Sequence, residues 1–177
     1  MSIDTFRTAS SDDADAIADL VNRAYRPPPG AAGWTHESGL VAGARIDAAQ
    51  VRLTLAQDDS HILLGLQQAR LCACVNVVAD ADGDGCYIGM LAVDPSLQAG
   101  GMGKQMLAHA EQFARQHFQA SYCHMTVLSA RPELLAYYLR RGYRQTGEHQ
   151  PFPHDANAGT PLRADLRIEV LRKTLTD

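Results

Sequence analysis

Leu91-Ala92-Val93-Asp94-Pro95-Ser96-Leu97-Gln98-Ala99-Gly100-Gly101-Met102-Gly103-Lys104 is the stretch on which the fold turns. An apolar run ends at Asp94-Pro95, a short loop follows, and glycines open a helix. The stripe of that helix (Met106, Leu107, Ala110, Phe113, Ala114 and Phe118) repeats at helical spacing from Gly101 to Phe118. The first amides of a helix have no partners within it, and its dipole favours an anion there. Glycines let a phosphate come close to that backbone. Strand, glycine loop and helix together predict a diphosphate cradle.

Three kinds of protein build such a cradle. A P-loop needs a glycine five residues before its Gly-Lys pair and Ser or Thr after it, and Gln98 and Gln105 stand there instead. A dinucleotide fingerprint matches at Gly101 and Gly103 and then meets Met106 where glycine or alanine belongs. Val93-Asp94-Pro95 followed by Gln98-x-x-Gly101-x-Gly103 resembles the third kind, the acyl-CoA motif of the Gcn5-related N-acetyltransferases. That resemblance implies that the backbone of Leu91, Ala92 and Val93 bonds the pantetheine arm. It also implies that the amides of Gln98, Ala99, Gly100, Gly101, Met102, Gly103 and Lys104 hold the pyrophosphate. Many members carry a basic residue before the first glycine; here Ala99-Gly100 stands there, and Lys104 is expected to supply the charge.

A second motif lies downstream. Leu134 to Tyr143 resembles the family's later helix, in which a tyrosine precedes a Gly-aromatic pair by four residues. Tyr138 holds that place before Gly142, so the resemblance gives it the role of proton donor to the departing thiolate. Tyr137 lies about 100° around the helix and is expected to pack or to face substrate. The asparagine common seven residues before the tyrosine is Arg131 here, which is expected to reach the pantetheine or the phosphates itself. Gly33-Trp34-Thr35-His36-Glu37 and Arg131-Pro132-Glu133-Leu134 also resemble a bacterial subgroup of this family.

Outward from these motifs the element order agrees with the family. A strand at Asp4–Thr8 precedes a helix carrying Ile17, Leu20, Val21 and Tyr25, which Pro27–Gly30 stops; a second helix starts near Asp47. Strands follow at His61–Leu66, Leu71–Val78 and Cys86–Val93, then Tyr122–Leu128, a helix at Pro132–Arg141, and strands at Tyr143–Thr146 and Leu166–Leu171 around a Pro151–Arg163 loop. The expectation is an α/β (α+β) chain: one N-acetyltransferase domain over residues 1–177, with a mixed, mostly antiparallel sheet flanked by helices.

Composition bounds the rest. The 177 residues are 46% hydrophobic with a formal charge of −4 and no basic run, which argues against nucleic acid or an acidic membrane as partner. No apolar run reaches the roughly 18 residues of a membrane span. Met1 to Ser10 has no signal-peptide stretch, so a cytoplasmic location is expected. Cys72 and Cys74, two apart in a strand, are expected on one face, and all four cysteines are read as free thiols. Asp80-x-Asp82-x-Asp84-Gly85 opens like a calcium loop, but Leu91 stands where the bidentate Glu belongs, so it reads as a hairpin turn. His149 and His154 lack further ligands, and no metal is expected.

The resemblance implies acetyl transfer from acetyl-CoA, as co-substrate, to a small primary amine by direct attack; a homodimer is compatible with it. Trp34 and Glu37 are the acceptor-side candidates, an aromatic face and a carboxylate suited to an ammonium. Glu37, His124 and Glu148 are candidates for the base. A non-catalytic acyl-CoA-binding module and a transferase acting on a protein N-terminus or lysine are the alternatives.

Overall fold

The computed structural model describes residues 2–31, 33–153 and 159–175. In chain order its elements are β1 (Thr5–Thr8), α1 (Ala14–Tyr25), β2 (Val41–Ala42), α2 (Ala48–Leu55), β3 (Ser60–Gln67), β4 (Arg70–Ala79) and β5 (Gly85–Val93). They continue with α3 (Met102–His117), β6 (Tyr122–Leu128), α4 (Pro132–Leu139), β7 (Arg144–Pro151), β8 (Thr160–Pro161) and β9 (Arg167–Thr174). Seven strands form one sheet in the order β1-β3-β4-β5-β6-β9-β7, and β2 pairs with β8 separately. Every neighbouring pair in the large sheet is antiparallel except β5 with β6. This is the mixed, mostly antiparallel sheet that the family resemblance implies.

Side chains alternate across the central strands, so each face acquires its own core. On one face α3 lays Met106, Leu107, Ala110 and Ala114 over Leu63, Val75 and Val77. On the other α1 and α2 bring Ile17, Val21 and Val51 against Ile62, Leu64 and Cys74. Asp47 caps α2, accepting from the Gln50 amide while the Gln50 side-chain oxygen accepts from the Asp47 amide. Asp80 closes the β4–β5 hairpin and accepts from His124 at 2.8 Å and from the Tyr122 hydroxyl at 3.2 Å.

The structure departs from expectation at the cysteines and at the last strands. A bulge lies between the Gly65↔Ala73 and Leu66↔Leu71 pairs, leaving Cys72 as the extra residue. Cys72 therefore packs in the core under α3 while Cys74 packs under α1, and the two do not share a face. β7 runs on to Pro151, every residue of it exposed and without apolar alternation, so nothing in its pattern marked its length. β8 forms inside the expected Pro151–Arg163 loop.

All four cysteines are buried free thiols. Burial pushes Cys74 up to about 12, and a hydrogen bond with Cys86, its neighbour across the strands, together with burial holds Cys123 above the ordinary thiol range. Thiols so protonated react slowly. A thiol reagent in the absence of reductant should therefore titrate four groups per chain in denaturant and almost none within minutes in the native protein. Two missing thiols in freshly unfolded protein would contradict this.

Candidate active site

The site begins where the sheet comes apart. β5 and β6 pair only from Gly85↔Tyr122 to Tyr87↔His124, and beyond that point the two strands separate. β5 also bulges: Met90 and Leu91 together oppose Val75, and Met90 takes a left-handed φ of 54°. Ile88 to Val93 thus turn toward the opening a backbone edge that has no strand partner. Unpaired amides and carbonyls beside a cleft need an outside partner.

Asp94 shapes the loop that follows. Its carboxylate accepts from the Ser96 amide at 3.0 Å and hydroxyl at 2.6 Å, and it pairs with Arg23 at 2.9 Å. Burial works against that charge, yet these partners hold Asp94 below the usual carboxylate range. Gly101, at φ 85°, is the turn into α3, a conformation that a side chain would strain. Gly103 lies on the cleft floor, where an added Cβ would stand 3.1 Å from the Tyr137 hydroxyl.

Of the cradle residues, Leu91, Ala92, Val93, Gln98, Ala99, Gly101, Gly103 and Lys104 line a cleft of about 340 Å³. Gly100 and Met102 are not in its wall, and the Met102 side chain is buried in the core, which leaves only its backbone for a ligand. The Gln98 side chain is engaged within the protein: Oε1 accepts from the Trp34 amide at 2.6 Å and Nε2 donates to the Val93 carbonyl at 3.3 Å. Arg140 and Arg141, at the end of α4, join Lys104 in the wall. Arg141 lies 3.7 Å over the Tyr137 ring, and its Nε and the Tyr137 hydroxyl are buried with no partner among the described residues. The charge missing at Ala99-Gly100 thus comes from α4 as well as from Lys104.

A second cavity, of about 240 Å³, occupies the wedge between Ile88–Leu91 and Met125–Leu128. Tyr138, Tyr25, Leu91, Leu134 and Arg131 line both spaces, so Tyr138 stands at their junction. Burial, and then the neighbouring phenols of Tyr25 and Tyr137, raise the Tyr138 hydroxyl far above an ordinary tyrosine and keep it protonated.

The two subgroup motifs meet here although about a hundred residues separate them. Thr35 donates to Glu133 at 2.7 Å and accepts from Arg131 at 2.8 Å. Trp34, 48% exposed, lies 5.7 Å from the Tyr137 ring and lines the first cleft only. Glu37 is buried and lines the second cavity only, 3.6 Å from Arg26 and 4.0 Å from Arg45. The structure therefore separates the pair that the sequence put side by side. Of the three candidate bases Glu37 alone lines a cavity; His124 is held by Asp80 where β5 and β6 still pair, and Glu148 is exposed on β7. His149 lies 3.9 Å from Glu169, and His154 is outside the described residues.

Sequence reasoning missed Tyr25, Arg45, Tyr87, Arg140 and Arg141 in these walls. The last two lie within the quoted tyrosine motif, between Tyr138 and Gly142, and were legible there as its basic pair. Arg45, in a loop with no pattern, left no signal.

A parallel pair thus opens between a glycine-led helix and a buried tyrosine. The acetyltransferase (GNAT) family pattern matches residues 15–143, and the chain belongs to that family of N-acetyltransferases. Solved structures agree in fold at low identity. The ribosomal-protein-S18-alanine N-acetyltransferase of Escherichia coli superposes with a TM-score of 0.69 at 13% identity, over 98% of this chain and 94% of that one. A variant of the spermidine N-acetyltransferase SpeG of Vibrio cholerae gives 0.70 at 11%, over 96% and 92%. The smu.2055 protein of Streptococcus mutans gives 0.69 at 12%, over 97% and 99%. No curated protein sequence matches the chain.

Proposed function

We propose that this protein transfers the acetyl group of acetyl-CoA to the primary amine of a small molecule by direct attack within a ternary complex. The observation that carries the reading is the place of Tyr138, in the wall of both the glycine-floored cleft and the cavity in the wedge. A thioester held along β5 and an amine held in the wedge would meet at its hydroxyl.

The first cleft suits an acyl-CoA on three grounds. The edge of Ile88–Val93 is open to an extended amide-bearing chain. The floor at Gly103 is bare where a side chain would crowd Tyr137. Lys104, Arg140 and Arg141 gather in the wall, and the Arg141 Nε has no partner among the described residues. Acetyl-CoA, the co-substrate of the family, supplies an activated acyl thioester.

The chain's own groups then have separate tasks. Amides of Leu91 to Val93 polarise the thioester oxygen. Glu37, the one carboxylate among the described residues lining the second cavity, anchors the ammonium and takes its proton through water. The N–C bond forms as the C–S bond breaks, and Tyr138 gives its proton to the leaving sulfur. The small second cavity favours a compact acceptor over a protein surface. The SpeG relative acts on spermidine, another small amine.

Release of CoA thiol from acetyl-CoA across a panel of small amines tests the proposal. Amine-dependent release with formation of the N-acetyl product is expected. Acetyl-CoA binding without release for any amine would instead leave a binding module.

A further inference from the structure

We infer that the acceptor carries a carboxylate beside its amine, and that Arg45 and Arg131 recognise it in the cavity between β5 and β6. This rests on the transferase reading above and narrows its substrate to amino acids and amino-acid-like amines.

The charges of the second cavity carry the argument. Among the described residues three guanidiniums, those of Arg26, Arg45 and Arg131, face it against one carboxylate, that of Glu37. Arg26 is taken up by structure: its Nη1 donates to the Gly43 carbonyl at 2.7 Å, and its Nη2 lies 3.6 Å from Glu37. Arg45 reaches Glu37 only at 4.0 Å, and its side chain keeps about 30% of its exposure. Arg131 is 94% buried, since only 6% of it is exposed. One of its Nη groups bonds Thr35, and its Nε, 3.9 Å from the Glu133 carboxylate, makes no hydrogen bond among the described residues. Both guanidiniums stand over the ring of Tyr25, at 5.5 and 5.9 Å from its centroid.

Arg45 is also held in place from behind. The Asn22 side chain in α1 accepts from the Arg45 amide at 2.7 Å and from the Ile46 amide at 3.3 Å, and it donates to the Ile46 carbonyl at 2.8 Å. Three bonds from one amide fix the backbone that presents this guanidinium. A preorganised, partly buried guanidinium short of acceptors matches a carboxylate, which takes paired N–H bonds. The same field opposes a second ammonium, so a polyamine would enter at a disadvantage. Glu37 remains for the reacting amine, and the bound zwitterion would bring each of its charges to an opposite one.

The test compares each amino acid with its decarboxylated amine and its carboxamide, for instance tyrosine, tyramine and tyrosinamide. Lysine with cadaverine, and spermidine alone, complete the panel. Initial rates of CoA release are followed in wild type, Arg45→Gln and Arg45→Lys. In at least one series kcat/KM should favour the free acid by about 10- to 1,000-fold, because a site built for a polar group rejects analogues that lack it. Arg45→Gln should collapse that ratio toward one, chiefly through KM, and Arg45→Lys should restore part of it. Equal or better rates with the amines, the carboxamides or spermidine would overturn the inference and, for the carboxamides, point to a peptide N-terminus. A preference that survives Arg45→Gln would overturn it too, as would acetyl-CoA binding without turnover of any free acid. Failure to bind acetyl-CoA at all would overturn the transferase reading itself, and this inference with it.

Discussion

Tyr138→Phe should lower kcat about 100-fold while acetyl-CoA affinity stays within about threefold. Phe keeps the ring that packs against Tyr137 and Tyr143 and removes only the hydroxyl at the junction of the two cavities. General acids contribute roughly 100- to 10,000-fold. Two facts place this one near the bottom of that range. A thiol of pKa about 8.5 is already a fair leaving group. Burial raises the Tyr138 phenol above its ordinary value, so transfer from it to the sulfur is uphill unless bond breaking and proton transfer coincide. The deficit should shrink at low pH, where solvent protonates the sulfur. Tyr137→Phe is the control: its hydroxyl has no hydrogen-bond partner among the described residues and faces Gly103 rather than the second cavity. It should cost less than about fivefold in kcat. Steady-state rates with any amine that turns over decide the matter, and equal small losses in the two variants would make Tyr138 a core residue only.

Gly103→Leu should remove most of the binding of acetyl-CoA without unfolding the protein. The new side chain starts 3.1 Å from the Tyr137 hydroxyl and 3.6 Å from Val93, and it grows into the cleft. Crowding of this kind costs about 1–3 kcal/mol, or roughly 5- to 150-fold in Kd. The helix itself tolerates the change, since Gly103 in the first turn of α3 has no left-handed φ for a side chain to strain. Calorimetric titration of variant and wild type measures the difference. Unchanged affinity would mean that the ligand does not pass over the first turn of α3.

Much of the candidate site's geometry was legible because it is set by backbone. Glycines at 101 and 103, Val93-Asp94-Pro95 and the interval from Tyr138 to Gly142 are constraints of conformation and spacing, which a sequence displays directly. The helices were legible through their stripes: Met106, Leu107, Ala110 and Ala114 are the buried face of α3, as their spacing predicts. What escaped was assembled from distant pieces. The bulge at Cys72 shows no mark in a run of Leu, Cys, Ala and Val, and it moved one thiol to the other core. Trp34 and Glu37 are three residues apart, yet the Gln98 side chain holds the Trp34 backbone at the first cleft while Arg26 and Arg45 flank Glu37 in the wedge. Arg45 itself depends on Asn22, a contact across 23 residues that no local pattern encodes.

The melting temperature of the wild-type protein with acetyl-CoA shows whether the glycine-floored cleft is an acyl-CoA site. A ligand that binds only the native state at a hundredfold excess over its Kd contributes about 2.7 kcal/mol, which for a chain of this size is roughly 5–11 °C. Acetyl-CoA and desulfo-CoA should both give such a rise, and NADH none. A melting temperature that neither CoA compound moves at millimolar concentration would contradict the account.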